Sequence, residues 1–133
     1  RNRSSDPSPF AKNPFEMSLS IYLLGLICVL GIAAGQLMFK LTANAINMAG
    51  TIFSLAPLAW FTATIALYGI TSIGWVLILR YADLGKIYPV MALAFVLVPL
   101  ASHFIFGEQF PKGFYLGSAL LIAGLLVIFT SGK

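Results

Sequence analysis

Four apolar stretches, each about as long as a bilayer is thick, occupy nearly all of the chain after Ser18. They cover residues 18–41, 57–80, 87–106 and 113–131. A hydrocarbon core about 30 Å thick takes roughly 20 helical residues to cross. No water is available there to satisfy backbone N–H and C=O groups, so each stretch has to be a helix. The chain therefore reads as all-α, a polytopic membrane protein with four transmembrane helices. Of its 133 residues, 59% are hydrophobic and 9% charged. Soluble domains carry about a quarter charged residues, so this composition could not cover a water-facing surface. One membrane domain, residues 18–133, follows a polar tail, residues 1–17, and leaves no room for a separate soluble enzymatic domain.

The net charge of +4 does not point to nucleic acid, because the eight basic residues are scattered over tail, loops and span ends. They speak to topology instead. With the N-terminus inside, Arg1, Arg3, Lys12, Arg80, Lys86 and Lys133 face the cytoplasm and only Lys40 and Lys112 face outward. That asymmetry favours both termini inside, although without the tail it is nearly neutral. The tail, rich in Ser, Pro and Asn, is expected to be disordered. Met17 stands directly before the first span and is read as the native start, with the residues before it an expression remnant. Ala43-Asn44-Ala45 resembles a signal-peptidase site, but the preceding apolar run is too long for a signal sequence, so the first span is expected to be retained.

Residues 42–56 form the longest connection, with room for a short interfacial helix. Pro57 suits the first turn of span two, and Trp60, Trp75 and Tyr81 suit the two aromatic belts. The five residues from Ala82 to Lys86 are so few that spans two and three are expected to be antiparallel neighbours. Pro89 and Pro99 are expected to bend span three. Small residues let helices approach in lipid. Gly31 and Gly35 form one GxxxG pair and Gly113 and Gly117 another, while Gly117 and Gly124 share a face of span four. The lone Cys28 lies inside span one and reads as a packing residue.

From Tyr22 onward the chain resembles the small multidrug resistance family within the drug/metabolite transporter superfamily. Span four, with Gly117-Ser-Ala-Leu-Leu-Ile-Ala-Gly124, resembles that family's dimerisation segment. Gly85-Lys86-Ile87-Tyr88-Pro89, followed by Phe106-Gly107-Glu108, resembles the superfamily signature around span three. The resemblance implies a dimer of four-helix protomers. The multidrug members' embedded glutamate is missing, since Val29 to Ala33 contains no acid, and Met91 stands where they carry a tryptophan. Those departures argue against proton-coupled drug export. Residues 34–40 (Ala-Gly-Gln-Leu-Met-Phe-Lys) and 88–96 resemble instead the subunits of the 4-amino-4-deoxy-L-arabinose–undecaprenyl-phosphate flippase. That resemblance implies a bacterial inner-membrane subunit that moves a lipid-linked sugar between leaflets for lipid A modification. Its partner would be either a second copy or a paralogous four-helix subunit, its surroundings membrane lipids, and it would need no cofactor.

Lys40 and Gln36 are four residues apart on one helical face, suited to a phosphate and sugar hydroxyls at the mouth of a groove. Tyr88, beside Pro89, is ranked with them as a hydrogen-bonding residue above Tyr68, Thr64, Thr71 and Ser72 of span two, where Thr and Ser hydroxyls usually bond back to their own helix. Arg80, at the opposite membrane face, is a candidate phosphate ligand because arginine grips phosphate oxygens bidentately. Its alternative is a positive-inside anchor. His103 and Glu108 are candidates for proton or polar coupling, with Glu108 also suited to capping span four or pairing with Lys112. Gly117 and Gly124 are the candidate dimer contacts, and no metal-ligand spacing occurs. Two alternatives remain open: a proton-coupled exporter of small cations, and a membrane scaffold that transports nothing. No nucleophile–base constellation supports an enzyme.

Overall fold

The computed structural model describes residues 19–131. Five helices follow one another: α1 (Leu19–Ala49), α2 (Leu55–Leu79), α3 (Leu84–Met91), α4 (Ala94–Phe106) and α5 (Lys112–Ser131). Among the described residues there is no strand. Four segments are long and apolar enough to span a membrane: α1, α2, α3 and α4 taken together as Leu84–Phe106, and α5. The bundle is thus the expected four-span architecture. The tail at residues 1–17, with its proposed start at Met17, lies outside the described residues, as does Lys133.

The first span is longer than expected. α1 continues through residues 42–49 without the separate interfacial helix foreseen there, and stops only at Gly50, which has φ +73°. No glycine or proline interrupts Thr42 to Ala49, and three alanines favour helix over that stretch. A helix of 31 residues is about 46 Å long at about 1.5 Å per residue. α1 therefore overshoots a hydrocarbon core of about 30 Å.

The third span is broken, not merely bent. At Ala92 and Leu93 the backbone tightens into i→i+3 hydrogen bonds, Ala92 to Pro89, Leu93 to Val90, Phe95 to Ala92 and Val96 to Leu93, all 3.1–3.2 Å. The dihedrals there, ψ −20° and −29°, belong to a 3₁₀ turn. Pro89 lies three residues before the break and Pro99 six after it, and each lacks the N–H that would close an α-helical bond.

α1 is the hub. It packs along α2 and against both α3 and α4, whereas α2 and α3 scarcely touch one another. The two spans joined by the short linker are antiparallel but meet mainly through α1, a correction to the expectation of direct neighbours. The tightest core sits at the end of the bundle where α1 begins: Ile21, Cys28 and Val29 from α1, Ile78 from α2, and Ile87 and Val90 from α3. Small residues permit this. At Gly31 an added methyl would strike Thr71, and at Gly35 it would strike the Tyr68 ring, so both glycines of the first GxxxG pair serve the α1–α2 contact within one chain. α5 is peripheral. Tyr22 meets Phe129 edge-to-face at 6.2 Å, and Leu125 is the one buried residue of that helix. Large apolar side chains are exposed along every span, as expected where the solvent is lipid.

Candidate functional site

The polar residues of the spans fall into three places. The first is a groove of about 480 Å³ between α1 and the broken α3–α4 span. Gln36 and Tyr88 line it, with Met91, Ala92, Phe95 and Pro99. Its wall is the 3₁₀ break, where the backbone widens the path that a continuous helix would fill. Tyr88 and Phe95 are exposed, so the groove is open along one side. Its volume falls in the usual range for small-ligand sites, about 300–1,000 Å³.

Gln36 is held in place by a residue that sequence reasoning ranked low. Its side-chain amide donates to the Tyr68 hydroxyl at 2.6 Å, across the α1–α2 contact. Tyr68 in turn packs at a tilt against Phe39, with ring centroids 5.3 Å apart. The amide carbonyl of Gln36 is left to serve a ligand in the groove, and Tyr68, outside the lining, holds the amide from behind. The signal for Tyr68 lay in Gly35, whose missing side chain admits the ring. Thr64 and Thr71 bond back to the Trp60 and Leu67 carbonyls at 2.7 and 3.0 Å, as expected for span two.

The second place is one turn along α1. Lys40 does not stand free at the mouth of the groove, because its Nζ lies 3.2 Å from Oε1 of Glu108. The Ser102 hydroxyl donates to the other oxygen of the same carboxylate. His103 Nδ1–H donates to the Glu108 backbone carbonyl at 2.6 Å. Glu108 is therefore the anchor of the turn between α4 and α5, and it pairs with Lys40 rather than with Lys112. The Ser102 hydrogen bond, then Lys40, hold its carboxyl below the ordinary glutamate range. It is an ionised acceptor near neutrality, and His103 serves as a structural donor to it.

The third place is the far end of the bundle. Arg80 caps α2, its guanidinium 5.7 Å from the centroid of the Tyr81 ring. Asp83 is taken by Lys86 at 2.8 Å, and Arg80 has no carboxylate within ion-pair distance among the described residues. The structure thus brings together Gln36 and Tyr88 in one groove and leaves Lys40 and Arg80 outside its lining, toward opposite ends of the bundle. Gly117 and Gly124 face open space within the chain. Among the described residues no cluster of three potential metal ligands occurs.

Neither a family model nor a solved structure matches the chain. Curated relatives do. A Pectobacterium atrosepticum protein named "Probable 4-amino-4-deoxy-L-arabinose-phosphoundecaprenol flippase subunit ArnE" is 30% identical over 111 residues, covering 83% of this chain and 97% of that protein. The chain belongs to the ArnE family. An ArnE of the same name from Salmonella newport is 31% identical over 80% of this chain and 96% of its own length. One from Pseudomonas fluorescens is 32% identical over 52% and 60%. Membership in the ArnE family makes this a multi-pass membrane protein of a transport-subunit family, in keeping with its four spans.

Proposed function

We propose that the protein is one subunit of an inner-membrane flippase that carries a polyprenyl-phosphate-linked amino sugar from the cytoplasmic to the periplasmic leaflet. The observation that carries this reading is the lateral groove lined by Gln36 and Tyr88, in a chain of the ArnE family whose Lys40 and Arg80 stand toward opposite ends of the bundle. The substrate class is that of the relatives' names.

The physical problem is to take a phosphate and a hydroxyl-rich ring across hydrocarbon while the prenyl chain stays in lipid. A groove open on one side does that. The ring enters from the side and exchanges water for the carbonyl of Gln36 and the hydroxyl of Tyr88, so its polar groups are not left bare. The phosphate is received at Arg80 and delivered to Lys40. Delivery requires the phosphate to compete with Glu108 for Lys40, so the ion pair closes the far end until an anion arrives. No bond is made or broken, and the subunit acts without catalysis. It works beside a second four-helix subunit, its own copy or a paralogue, and the exposed face of α5 around Gly117 and Gly124 is the contact this reading assigns.

Proton-coupled export of cations is the weaker reading. The residue it would use, Glu108, is held ionised by Ser102 and Lys40, and no acid lies in span one. Mass spectrometry of lipids retained by the gently purified protein tests the reading. Selective enrichment of a polyprenyl-phosphate sugar supports it, and retention of ordinary phospholipids alone counts against it.

A further inference from the structure

A second groove lies between α1 and α2 and shares no lining residue with the first. It encloses about 330 Å³ and is lined by Leu24, Cys28, Thr71, Gly74, Leu77 and Tyr81 among others. The hollow exists because Cys28 and Gly74 face each other there: a methyl added at Gly74 would lie 3.2 Å from the Cys28 sulfur. Of its two hydroxyl-bearing wall residues, Thr71 is already spent on the Leu67 and Tyr68 carbonyls, both at 3.0 Å, and Tyr81 stands at the end of the groove. Away from Tyr81 the wall therefore offers a ligand little but hydrocarbon contact. At one end, the Tyr81 ring that lines the groove lies beneath the Arg80 guanidinium.

An oily channel with one cation at its mouth, unpaired among the described residues, is complementary to a molecule with one anionic head and a long apolar chain. We propose that the α1–α2 groove binds the first isoprene units of a polyprenyl phosphate, with the phosphate on Arg80. This rests on the flippase reading and deepens it by giving the lipid chain a seat separate from that of the sugar. Arg80 grips the phosphate oxygens in its planar fork, and Tyr81 supports the guanidinium from below. The methyl-branched chain lies between the side chains of Ile27 and Ile70, both well exposed at the rim. The head is then handed around α1 toward Gln36 and Tyr88 while the chain keeps its place.

The test is photo-crosslinking of the full chain in vesicles of phosphatidylethanolamine and phosphatidylglycerol. The probe is a polyprenyl phosphate, without sugar, that carries a diazirine on its second isoprene unit. Label is expected within residues 21–28 and 70–81. Unlabelled undecaprenyl phosphate should compete it away and added phosphatidylglycerol should not. Arg80→Ala and Ile70→Trp, both at exposed positions that leave the core intact, are each expected to reduce labelling about tenfold, the loss of one good interaction. Competable label mapping to residues 88–99 or to α5 would overturn the groove assignment and leave the flippase reading standing. Competition by phosphatidylglycerol would reduce the groove to a site for any membrane lipid, which also overturns it. Label in the groove from a protein that retains no sugar-bearing lipid would sustain the groove and sink the flippase reading.

Discussion

Lys40 and Glu108 meet at 3.2 Å, tying the longest helix of the protein to the turn that launches the last one. The pair joins residues 68 positions apart, and Ser102 and His103 brace its acidic partner from α4.

If Lys40 receives the phosphate, its charge matters beyond its part in this pair. Lys40→Ala is expected to lower lipid flipping in vesicles about tenfold or more, the scale of one charge-assisted hydrogen bond. Lys40→Arg should retain most of the rate. Glu108→Gln, which breaks the same pair but leaves the cation, should cost less than Lys40→Ala. Equal losses from the two would make Lys40 a structural partner of Glu108 and no more.

The acid limb of stability should carry the signature of Glu108. Its folded-state pKa is depressed, so its ion pair and hydrogen bond contribute fully above the unfolded value, about 4.3, and are lost as pH falls through the lower folded value. Thermal melts in detergent should be flat with respect to this group from about pH 5 upward. Below the ordinary glutamate range they should fall, and Glu108→Gln should blunt that fall. A transport rate that depends on Glu108 titrating near neutrality would contradict this arrangement.

Gly35 and Tyr68 separate packing from recognition. Gly35→Leu would drive a side chain into the Tyr68 ring and is expected to cost about 1–3 kcal/mol of stability, read as a lower melting temperature. Tyr68→Phe keeps the ring and removes only its hydrogen bond to Gln36. That variant should melt within a few degrees of the parent and flip its lipid more slowly. Unchanged flipping by Tyr68→Phe would remove Gln36, and Tyr68 behind it, from any part in binding.

On α5 the expectation reverses. A Cβ added at Gly117 or Gly124 would meet nothing within 4 Å among the described residues. Gly117→Leu and Gly124→Leu should therefore leave the melting of the isolated protomer nearly unchanged and lower the fraction that cross-links as a dimer. A full dimer fraction in both variants would move the subunit contact off this face.

The four spans were legible in the sequence because hydropathy over about 20 residues is a direct reading of bilayer thickness. Their ends were less so. Asn44 and Asn47 look like loop residues, yet the backbone stays helical through them until Gly50 supplies a positive φ. The prolines of span three promised a bend, but the break falls at Ala92 and Leu93, where no single residue type marks it. In the site, the four-residue spacing of Gln36 and Lys40 was visible as a shared face. What each of them touches was not, because Tyr68 and Glu108 are 32 and 68 residues away and only the packing of α1 selects them. The distance of Arg80 from Lys40 followed from the span count, and the structure keeps the two toward opposite ends of the bundle.

Because α1 is the common wall of both grooves, any movement of α1 changes the width of both. A shift of α1 toward α2 narrows the oily channel and widens the polar one, and the opposite shift does the reverse. If the lipid is seated in both grooves as proposed, occupancy of either side should alter affinity on the other by the same factor, as thermodynamic reciprocity demands. No separate gate would then be needed to keep its two halves in step, and a single helix, leaning one way or the other, would serve as the beam of a balance.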